Sequence, residues 1–180
     1  TVWLDGKEIA KHYGAFTPFE VIVNDVSCGE HTLVVLADST IDANSFPQRY
    51  TDWFNYGGIA RDVSVAELSG ISIITNHIKY ELSDDLSSAS VWATMELYNA
   101  DAKKTSSPIK LTIGDNVIYE REITLDAYEK TTLTTDKVTL DSIELCDVDA
   151  PKLDTAFAST ETDDLIDKIG FRKIEIKNCD

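Results

Sequence analysis

The stretch IKLTIGDNVIYEREI, Ile109–Ile123, decides the fold class of this chain. Every second residue from Ile109 to Ile113 is apolar, which is the pattern of a strand with one buried face. The turn signal GDN follows at positions 114–116, and a second run rich in β-branched and aromatic residues begins at Val117. The stretch therefore predicts two strands, Ile109–Ile113 and Val117–Ile123, separated by a short turn.

Similar short runs of Val, Ile, Thr and Tyr recur along the chain, separated by Gly, Asp, Ser and Asn turn signals such as Asp5-Gly6. No amphipathic stretch of helical length stands out among them. Closely spaced strands of this kind predict an all-β chain with β-sandwich architecture. The further predicted strands are Glu20–Val23, Thr32–Ala37, Val63–Leu68, Ile71–Thr75, Ser90–Leu97 and Lys173–Lys177.

Composition excludes several classes of partner. The 32 acidic and 16 basic residues give a formal charge of −16, which disfavours nucleic acid because phosphate binding depends on Lys and Arg. No apolar run approaches the roughly 20 residues that span a bilayer, so no membrane partner is expected. Three cysteines without CxxC spacing favour reduced thiols and a reducing, cytoplasmic compartment.

The chain divides into two parts at Ser69-Gly70, where a segment dense in aromatics ends and a plainer, Thr-rich series of strands begins. Residues 70–180 have about the length and strand count of one immunoglobulin-like sandwich. Residues 1–69 offer four or five strands, too few for a jelly roll of about eight. We therefore expect the first domain to be truncated at its N-terminus.

The segment Phe46–Val63, FPQRYTDWFNYGGIARDV, contains five aromatic residues and two adjacent glycines. A loop without periodicity, 39–51, leads into it, and long loops on a rigid scaffold concentrate binding residues. Two interpretations of the aromatics remain open. They fill a core, or they stack on a sugar ring while Asp52 accepts hydrogen bonds from its hydroxyls. The aromatics in question are Trp53, Phe54 and Tyr56.

Three strings together resemble the family 2 glycoside hydrolases, the group of β-galactosidases, β-glucuronidases and β-mannosidases. VWLDGKEIAKHYGAFTPFEVIV at 2–23 is similar to the middle of the family's sugar-binding jelly roll, and DWFNYGGIARDV at 52–63 to its closing strand. IDKIGFRKIEI at 166–176 resembles the strand that ends the immunoglobulin-like domain and leads into the catalytic barrel. The strings occur in the family's order.

The resemblance implies a partial, galactose-binding-like jelly roll at 1–69 and an immunoglobulin-like sandwich at 70–180 that leads to an absent catalytic barrel. The parent would be a retaining exo-β-glycosidase of the β-glucuronide or β-galactoside class. Its acid/base and nucleophile glutamates belong to the barrel, so this chain alone is expected to be inactive, with no catalytic residue of its own. The barrel of the same polypeptide and a β-glycoside are the implied partners.

One functional position carries over from the family, the aspartate that opens the closing motif, here Asp52. It is implied to contact the sugar and, in some galactosidases, a monovalent cation, which would be expected near Asp52 only in the full-length enzyme. No other cofactor is expected. The family often has Leu-Trp near Leu145-Cys146 and Leu-Tyr near Leu153-Asp154, so packing there is expected to differ.

Other candidate sites are weaker. The three histidines lack the spacing of a metal site or a catalytic triad, and no metal ligand is assigned. Cys28 has no basic neighbour to activate it. Arg61 is expected in a buried salt bridge, or in hydrogen bonds that tie its strand to a neighbouring loop, more readily than on an anionic sugar. The acids at 163, 164 and 167 are expected in a solvated turn more readily than in a cation site. A stand-alone carbohydrate-binding or adhesion module is the alternative function, and a homo-oligomer through an open sheet edge is left open.

Overall fold

The computed structural model describes residues 1–14, 16–46, 48, 52 and 56–175. This part of the chain contains eleven strands and no helix, which confirms the all-β fold class. It forms two compact units, Thr1–Ala66 and Glu67–Asp180. The strands are β1 Val2–Leu4, β2 Lys7–Ala10, β3 Leu33–Val35, β4 Ile71–Leu82, β5 Ser88–Asn99, β6 Thr105–Ile113, β7 Asn116–Leu125, β8 Lys130–Thr134, β9 Val138–Asp141, β10 Asp154–Ser159 and β11 Asp164–Ile169.

The C-terminal unit is a sandwich of two antiparallel sheets. One sheet has the order β11-β10-β6-β7, and the other has the order β4-β5-β8, with β9 also paired to β5. The stretch Ile109–Ile123 forms most of the β6–β7 pair, with Leu111 opposite Tyr119. Gly114 takes a positive φ of 54° in the turn between them, a conformation that glycine adopts at no steric cost. The two strands predicted from that stretch are therefore confirmed.

Alternation along the strands builds the core between the two sheets. In β5 the inward-facing residues are Ala89, Val91, Ala93, Met95 and Leu97, and each is at most 1% exposed. Ile109, Leu111 and Ile113 of β6 belong to the same buried cluster from the opposite sheet. Burial of such side chains is the main stabilising term for a sandwich, since it removes apolar area from water at about 25 cal/mol per Å².

A bulge in β4 changes which residues face the core. The register with β5 shifts between Ile73 and Thr75, and the backbone N–H of Ile73 donates to Asp163 Oδ2 at 2.8 Å. An extra residue in one strand reverses the inward and outward faces beyond it. Asn76 thereby becomes buried at 8% exposure, and neither polar atom of its amide has a hydrogen-bond partner within the described residues. Asp163 thus accepts a structural bond, while Asp164 and Asp167 are exposed on β11, so the turn expected for these acids was wrong.

The Gly-Phe-Arg motif at 170–172 is packed tightly against the sandwich. Phe171 is 2% exposed, and its ring meets Tyr80 edge to face at 5.1 Å. The Tyr80 hydroxyl accepts a 3.0 Å bond from the Arg172 N–H and lies 3.2 Å from the Gly170 carbonyl oxygen. A Cβ at Gly170 would lie 3.0 Å from the Cβ of Cys146. The smaller residue at 146 therefore packs directly on the motif's glycine.

Several predicted strands differ from the structure. Ile71–Thr75 and Ser90–Leu97 are parts of the longer β4 and β5, and Thr32–Ala37 contains β3. Glu20–Val23, Val63–Leu68 and residues 173–175 are not in strands, so those predictions were wrong; positions 176–177 lie outside the described residues. A β-rich segment becomes a strand only when another segment pairs with it. These segments have the composition of strands without such a ladder in the described part of the chain.

The N-terminal unit contains one three-stranded antiparallel sheet of order β2-β1-β3. Asp5 and Gly6 turn the chain between β1 and β2 with φ of 49° and 79°, the backbone of a two-residue hairpin loop that Asp-Gly favours. In the described part of this unit, Val2 at 7% exposure is the only buried hydrophobic side chain. The described residues of this unit also form hydrogen bonds between loops.

One group of these hydrogen bonds joins the hairpin turn to the segment before β3. Asp5 Oδ1 accepts the Thr32 N–H at 2.8 Å, while Asp5 Oδ2 lies 2.6 Å from His31 Nδ1. His31 Nε2 lies 2.7 Å from the Ser27 carbonyl oxygen. Both ring nitrogens face acceptors, so the doubly protonated imidazolium fits this site best. The bonds to Asp5 and then to Ser27 raise the pKa of His31 above its ordinary 6.5.

We expect the stability of the N-terminal unit to fall as pH rises past neutrality. A histidine whose pKa is raised on folding stabilises fully below its unfolded value of 6.5 and loses this contribution as pH rises through the folded value. The Thr32 N–H and His31 lower the pKa of Asp5, so its contribution is lost only as pH falls below the ordinary 3.8. The Asp5–His31 pair therefore stabilises the N-terminal unit most between the ordinary pKa of aspartate, 3.8, and that of histidine, 6.5.

Thermal unfolding from pH 6 to pH 8, an interval of about two units around the ordinary histidine pKa, measures this dependence. His31→Gln should flatten the pH dependence of the N-terminal transition. His77→Gln is the matched control, since His77 is exposed on β4 and should leave the dependence intact. An unchanged pH profile in His31→Gln would exclude this histidine as its source.

Candidate functional site

Asp52, the sequence-predicted sugar contact, lies exposed in a bend of the N-terminal unit. Tyr56 from the same segment is 85% exposed, so it does not fill a core. Trp53 and Phe54 lie outside the described residues. Because most of the neighbours of Asp52 in sequence are also outside them, no ligand set for a cation at Asp52 can be derived, and the monovalent cation stays an expectation.

A second carboxylate, Asp42, lies in the long loop that precedes Asp52, and its contacts are well defined. Asp42 Oδ1 accepts the Tyr13 hydroxyl at 2.9 Å, the Asn44 N–H at 2.8 Å and the Ser45 hydroxyl at 3.1 Å. The Asp42 N–H in turn donates to Ser45 Oγ at 2.9 Å. The local Asp-x-x-Ser spacing produces this turn, since Asp side chains readily bond the backbone two residues on.

Within the described residues, no donor reaches Asp42 Oδ2. All three bonds that fix the carboxylate end on Oδ1. The Asn44 N–H, followed by the hydroxyls of Tyr13 and Ser45, lowers the pKa of Asp42 below its ordinary value. The group is therefore an ionised acceptor at neutral pH, held in one orientation with one oxygen available to a ligand.

Exposed aromatic rings occur in the same two segments as Asp42 and its partner Tyr13. Phe16 and Phe46 meet edge to face, with ring centroids 6.4 Å apart, and they are 69% and 70% exposed. Phe46 follows Ser45 directly in the sequence. Tyr13, itself 65% exposed, precedes Phe16 by three positions. Two independent contacts therefore join the segment 12–19 to the loop 38–48. We call Tyr13, Phe16, Asp42, Ser45 and Phe46 the Asp42 surface.

The loop also packs on the glycine pair of the closing motif. A Cβ at Gly57 would lie 3.0 Å from the Ser39 Cβ and closer still to its hydroxyl, so a larger residue there would require Ser39 to move. Asp38, next to Ser39, accepts the Thr40 N–H at 2.9 Å, and its bonds to Thr40 lower its pKa. Ser39, in the loop that contains Asp42, thus lies against Gly57 of the closing motif.

The remaining candidates have ordinary roles. Arg61 is exposed and makes no ion pair with any described residue, so the buried salt bridge expected for it was wrong. His12 stacks on Phe19 with centroids 4.6 Å apart and rings 11° from parallel. Cys28 and Cys146 are free thiols. No group of three or more His, Cys, Asp or Glu side chains in the described ranges could hold a metal ion, nor does any helix there have the length and apolarity to span a bilayer.

Sequence reasoning missed Tyr13 and Asp42. They are 29 positions apart, and nothing local signals that a tyrosine in one loop bonds an aspartate in another. The Asp-x-x-Ser pattern at 42–45 was the available signal. It marks a side-chain-capped turn, which is a common feature of loops without any function.

No protein-family model matches the chain. A β-galactosidase of Thermoanaerobacterium thermosulfurigenes is 29% identical over 190 residues, which cover 98% of this chain and 26% of that protein. A GH2 β-galacturonidase from Eisenbergiella tayi, solved bound to galacturonate, is 30% identical with a TM-score of 0.84, covering 97% of this chain and 31% of its own. A Bacteroides uniformis β-glucuronidase shares the fold at a TM-score of 0.80 and 18% identity, with 96% and 23% covered.

This chain therefore spans less than a third of the length of each of these proteins. Within that share, the match runs along nearly the whole of the chain, through both compact units. The resemblance to family 2 glycoside hydrolases that the three sequence strings predict is confirmed, both by relatives named β-galactosidase and by solved structures of that family.

Proposed function

We propose that this chain is the non-catalytic portion of a retaining exo-β-glycosidase that hydrolyses β-glucuronides or β-galactosides. Its two units would hold the catalytic barrel of the same polypeptide, and Asp52 would contribute a sugar contact. The match to the Eisenbergiella tayi β-galacturonidase over 97% of the chain, at 30% identity, is the observation that carries the proposal. It extends the candidate sugars to β-galacturonides, which combine the C4 configuration of galactosides with the carboxylate of glucuronides.

The properties of the carboxyl groups in the N-terminal unit support the proposal that the catalytic residues lie outside this chain. A retaining glycosidase needs two carboxyl groups about 5 to 5.5 Å apart, one protonated and one ionised. The carboxyl groups whose pKa departs from ordinary in the N-terminal unit are all shifted downward, at Asp5, Asp38 and Asp42. A general acid requires a raised pKa instead. These three groups are therefore suited to accept hydrogen bonds and unsuited to donate a proton.

Hydrolysis of nitrophenyl β-glucuronide, β-galactoside and β-galacturonide tests the proposal directly. The full-length protein should cleave at least one of them. The 180-residue chain, checked for folding by circular dichroism, should cleave none. Turnover by the folded chain at rates comparable with the full-length protein would overturn the assignment of catalysis to the barrel.

Replacing Asp52 with alanine in the full-length protein should lower kcat/KM by about 10- to 100-fold. The lost interaction is a hydrogen bond from a sugar hydroxyl to an ionised acceptor, which contributes about 1.5 to 3 kcal/mol. Asp62→Ala is the matched control, because Asp62 belongs to the same motif and is also exposed. Equal kcat/KM values in the two variants would mean that Asp52 makes no contact with the sugar.

A stand-alone carbohydrate-binding or adhesion module is the second candidate. The observation that favours it is the exposure of aromatic rings beside a carboxylate in the N-terminal unit, since such surfaces bind sugars without catalysis. A coding sequence that ends near position 180 would support the module, and a continuation of about 250 residues would support the hydrolase. For either function, the free thiols Cys28 and Cys146 support a reducing, cytoplasmic location.

A further inference from the structure

We propose that Tyr80 is a positioning residue, whose hydroxyl fixes the backbone at Arg172, where the chain leaves the sandwich, and thereby sets the direction of the polypeptide that leads to the catalytic barrel. The proposal rests on the proposed function for the barrel that follows. The clamp itself, which consists of the Tyr80 hydroxyl and the backbone of residues 170–172, is a feature of the described residues alone.

The bulge in β4 aims Tyr80 at this point of the chain. Before the bulge the odd-numbered residues Ile71 and Ile73 are buried, and after the register shift the even-numbered residues pack on the core. The latter are Asn76, Ile78, Tyr80 and Leu82. Without the extra residue Tyr80 would lie on the outer face, because successive side chains of a strand alternate. The bulge that buries the Asn76 amide without a partner in the described chain thus also brings the Tyr80 ring against Phe171.

The Tyr80 hydroxyl engages the backbone on both sides of Phe171. It accepts the Arg172 N–H at 3.0 Å, and its own hydrogen faces the carbonyl oxygens of Gly170 and Arg172, each 3.2 Å away. A phenolic hydroxyl has one donor and can also accept, so both of its capacities are used here. One side-chain group therefore holds three backbone groups in one conformation.

Beyond Phe171, the hydrogen bonds that tie the segment 172–175 to the rest of the described chain all end on this hydroxyl. The Phe171 carbonyl oxygen still accepts the Cys146 N–H at 2.7 Å, so backbone pairing holds the chain up to that residue. Lys173 pairs with Glu175 inside the segment, at 2.6 Å. An open cleft of about 370 Å³ separates the segment from the turn after β4. The segment therefore has room to move once the hydroxyl is removed.

The direction of this segment matters because the proposed enzyme divides its site between parts of one polypeptide. In that proposal Asp52 contacts the sugar, while the catalytic carboxyl groups belong to the barrel that follows the segment. A misplacement of about 1 Å between the groups that hold and the groups that attack a substrate costs about 100-fold in rate. Loosening the point where the sandwich hands the chain to the barrel should therefore lower activity without unfolding the protein.

The test compares four forms of the full-length protein by amide hydrogen exchange and by hydrolysis of a nitrophenyl glycoside. Tyr80→Phe keeps the ring on Phe171 and removes only the hydroxyl. Tyr119→Phe is the matched control, because Tyr119 packs on the same core cluster and its contact within the described residues is made by the ring, with Arg121 at 5.7 Å. Arg172→Ala keeps the backbone groups that Tyr80 bonds, so it separates the clamp from any role of the guanidinium.

We expect the Arg172 amide hydrogen to exchange about fivefold faster in Tyr80→Phe, relative to its intrinsic rate, the loss of one hydrogen bond of ordinary strength. The kcat/KM of this variant should fall at least about tenfold. Tyr119→Phe should change neither quantity, and Arg172→Ala should keep the protection of the amide at 172. Circular dichroism at the assay temperature checks that each form is folded, since a merely stabilising tyrosine would leave kcat/KM of the folded protein unchanged.

Equal exchange at position 172 in wild type and Tyr80→Phe would overturn the clamp, and so would loss of protection in Arg172→Ala. Faster exchange with an unchanged kcat/KM would overturn the positioning role, as would an equal loss of kcat/KM in Tyr119→Phe. A full-length protein that hydrolyses no glycoside would overturn the proposed function, and the exchange rates alone would then support or overturn the clamp.

Discussion

Replacing Phe171 with alanine should lower the free energy of unfolding of the C-terminal unit by about 3 to 5 kcal/mol. Phe171 is 2% exposed and belongs to the cluster that both sheets share. Its removal loses the transfer free energy of a whole aromatic ring and leaves a cavity that Tyr80, which is tied by its hydroxyl to the backbone at Gly170 and Arg172, cannot move in to fill. Phe171 belongs to the Gly-Phe-Arg motif at 170–172, which the family resemblance places just before the catalytic barrel.

Phe157→Ala is the control for this prediction. Phe157 lies on β10 with its ring on the outer face, 36% exposed, opposite Thr112 and Ile166 in the register. It should cost about 1 kcal/mol, since a partly exposed ring leaves no closed cavity. Urea unfolding followed by far-UV circular dichroism, with the two units fitted as separate transitions, measures both. A similar cost for the two variants would contradict the central position of Phe171 in the core.

Four strands of the C-terminal sandwich, β4 to β7, could be predicted from the sequence because they form two hairpins of strands that follow each other along the chain. The strands β8 to β11 were not predicted. The Ile109–Ile123 stretch contains two strands and their turn, so alternation and turn chemistry are enough to predict it. The bulge in β4 could not be predicted in this way. It occurs where the Ile73 N–H bonds Asp163, 90 positions away, and it buries a polar residue, Asn76, at a position that simple alternation would make outward-facing.

The N-terminal unit was predicted less well for a related reason. Glu20–Val23 has the composition of a strand, and pairing partners rather than composition decide whether a strand forms. The same applies to function. The motif at 52–63 pointed to Asp52 through a resemblance, and the loop at 39–51 was expected to hold binding residues. The particular residue Asp42 emerged only from its contact with Tyr13, which no local pattern contains.

Replacing the buried Asn99 with alanine should lower the free energy of unfolding of the C-terminal unit by about 2 to 4 kcal/mol. Asn99 is 0% exposed. Its Nδ2 donates to the carbonyl oxygens of Lys103 and Asp126 at 2.8 Å and to that of Leu125 at 3.3 Å. Its Oδ1 accepts the Asp101 N–H at 3.1 Å. The side chain thus joins the turn after β5 to the end of β7, and alanine would remove one buried bond, to Leu125, and three partly buried ones.

Asn76→Leu tests the same rule, that a buried polar group costs free energy unless it is hydrogen-bonded, at a site where we expect the opposite result. Asn76 is also buried, but its amide has no partner in the described residues, so its burial costs free energy without compensation. An apolar side chain of similar shape should raise the free energy of unfolding by about 1 kcal/mol. Two buried asparagines in one sandwich should therefore respond with opposite signs in the same urea titration. Destabilisation by both substitutions would mean that the Asn76 amide is satisfied in the folded protein, and that hydrogen bonding does not distinguish the two sites.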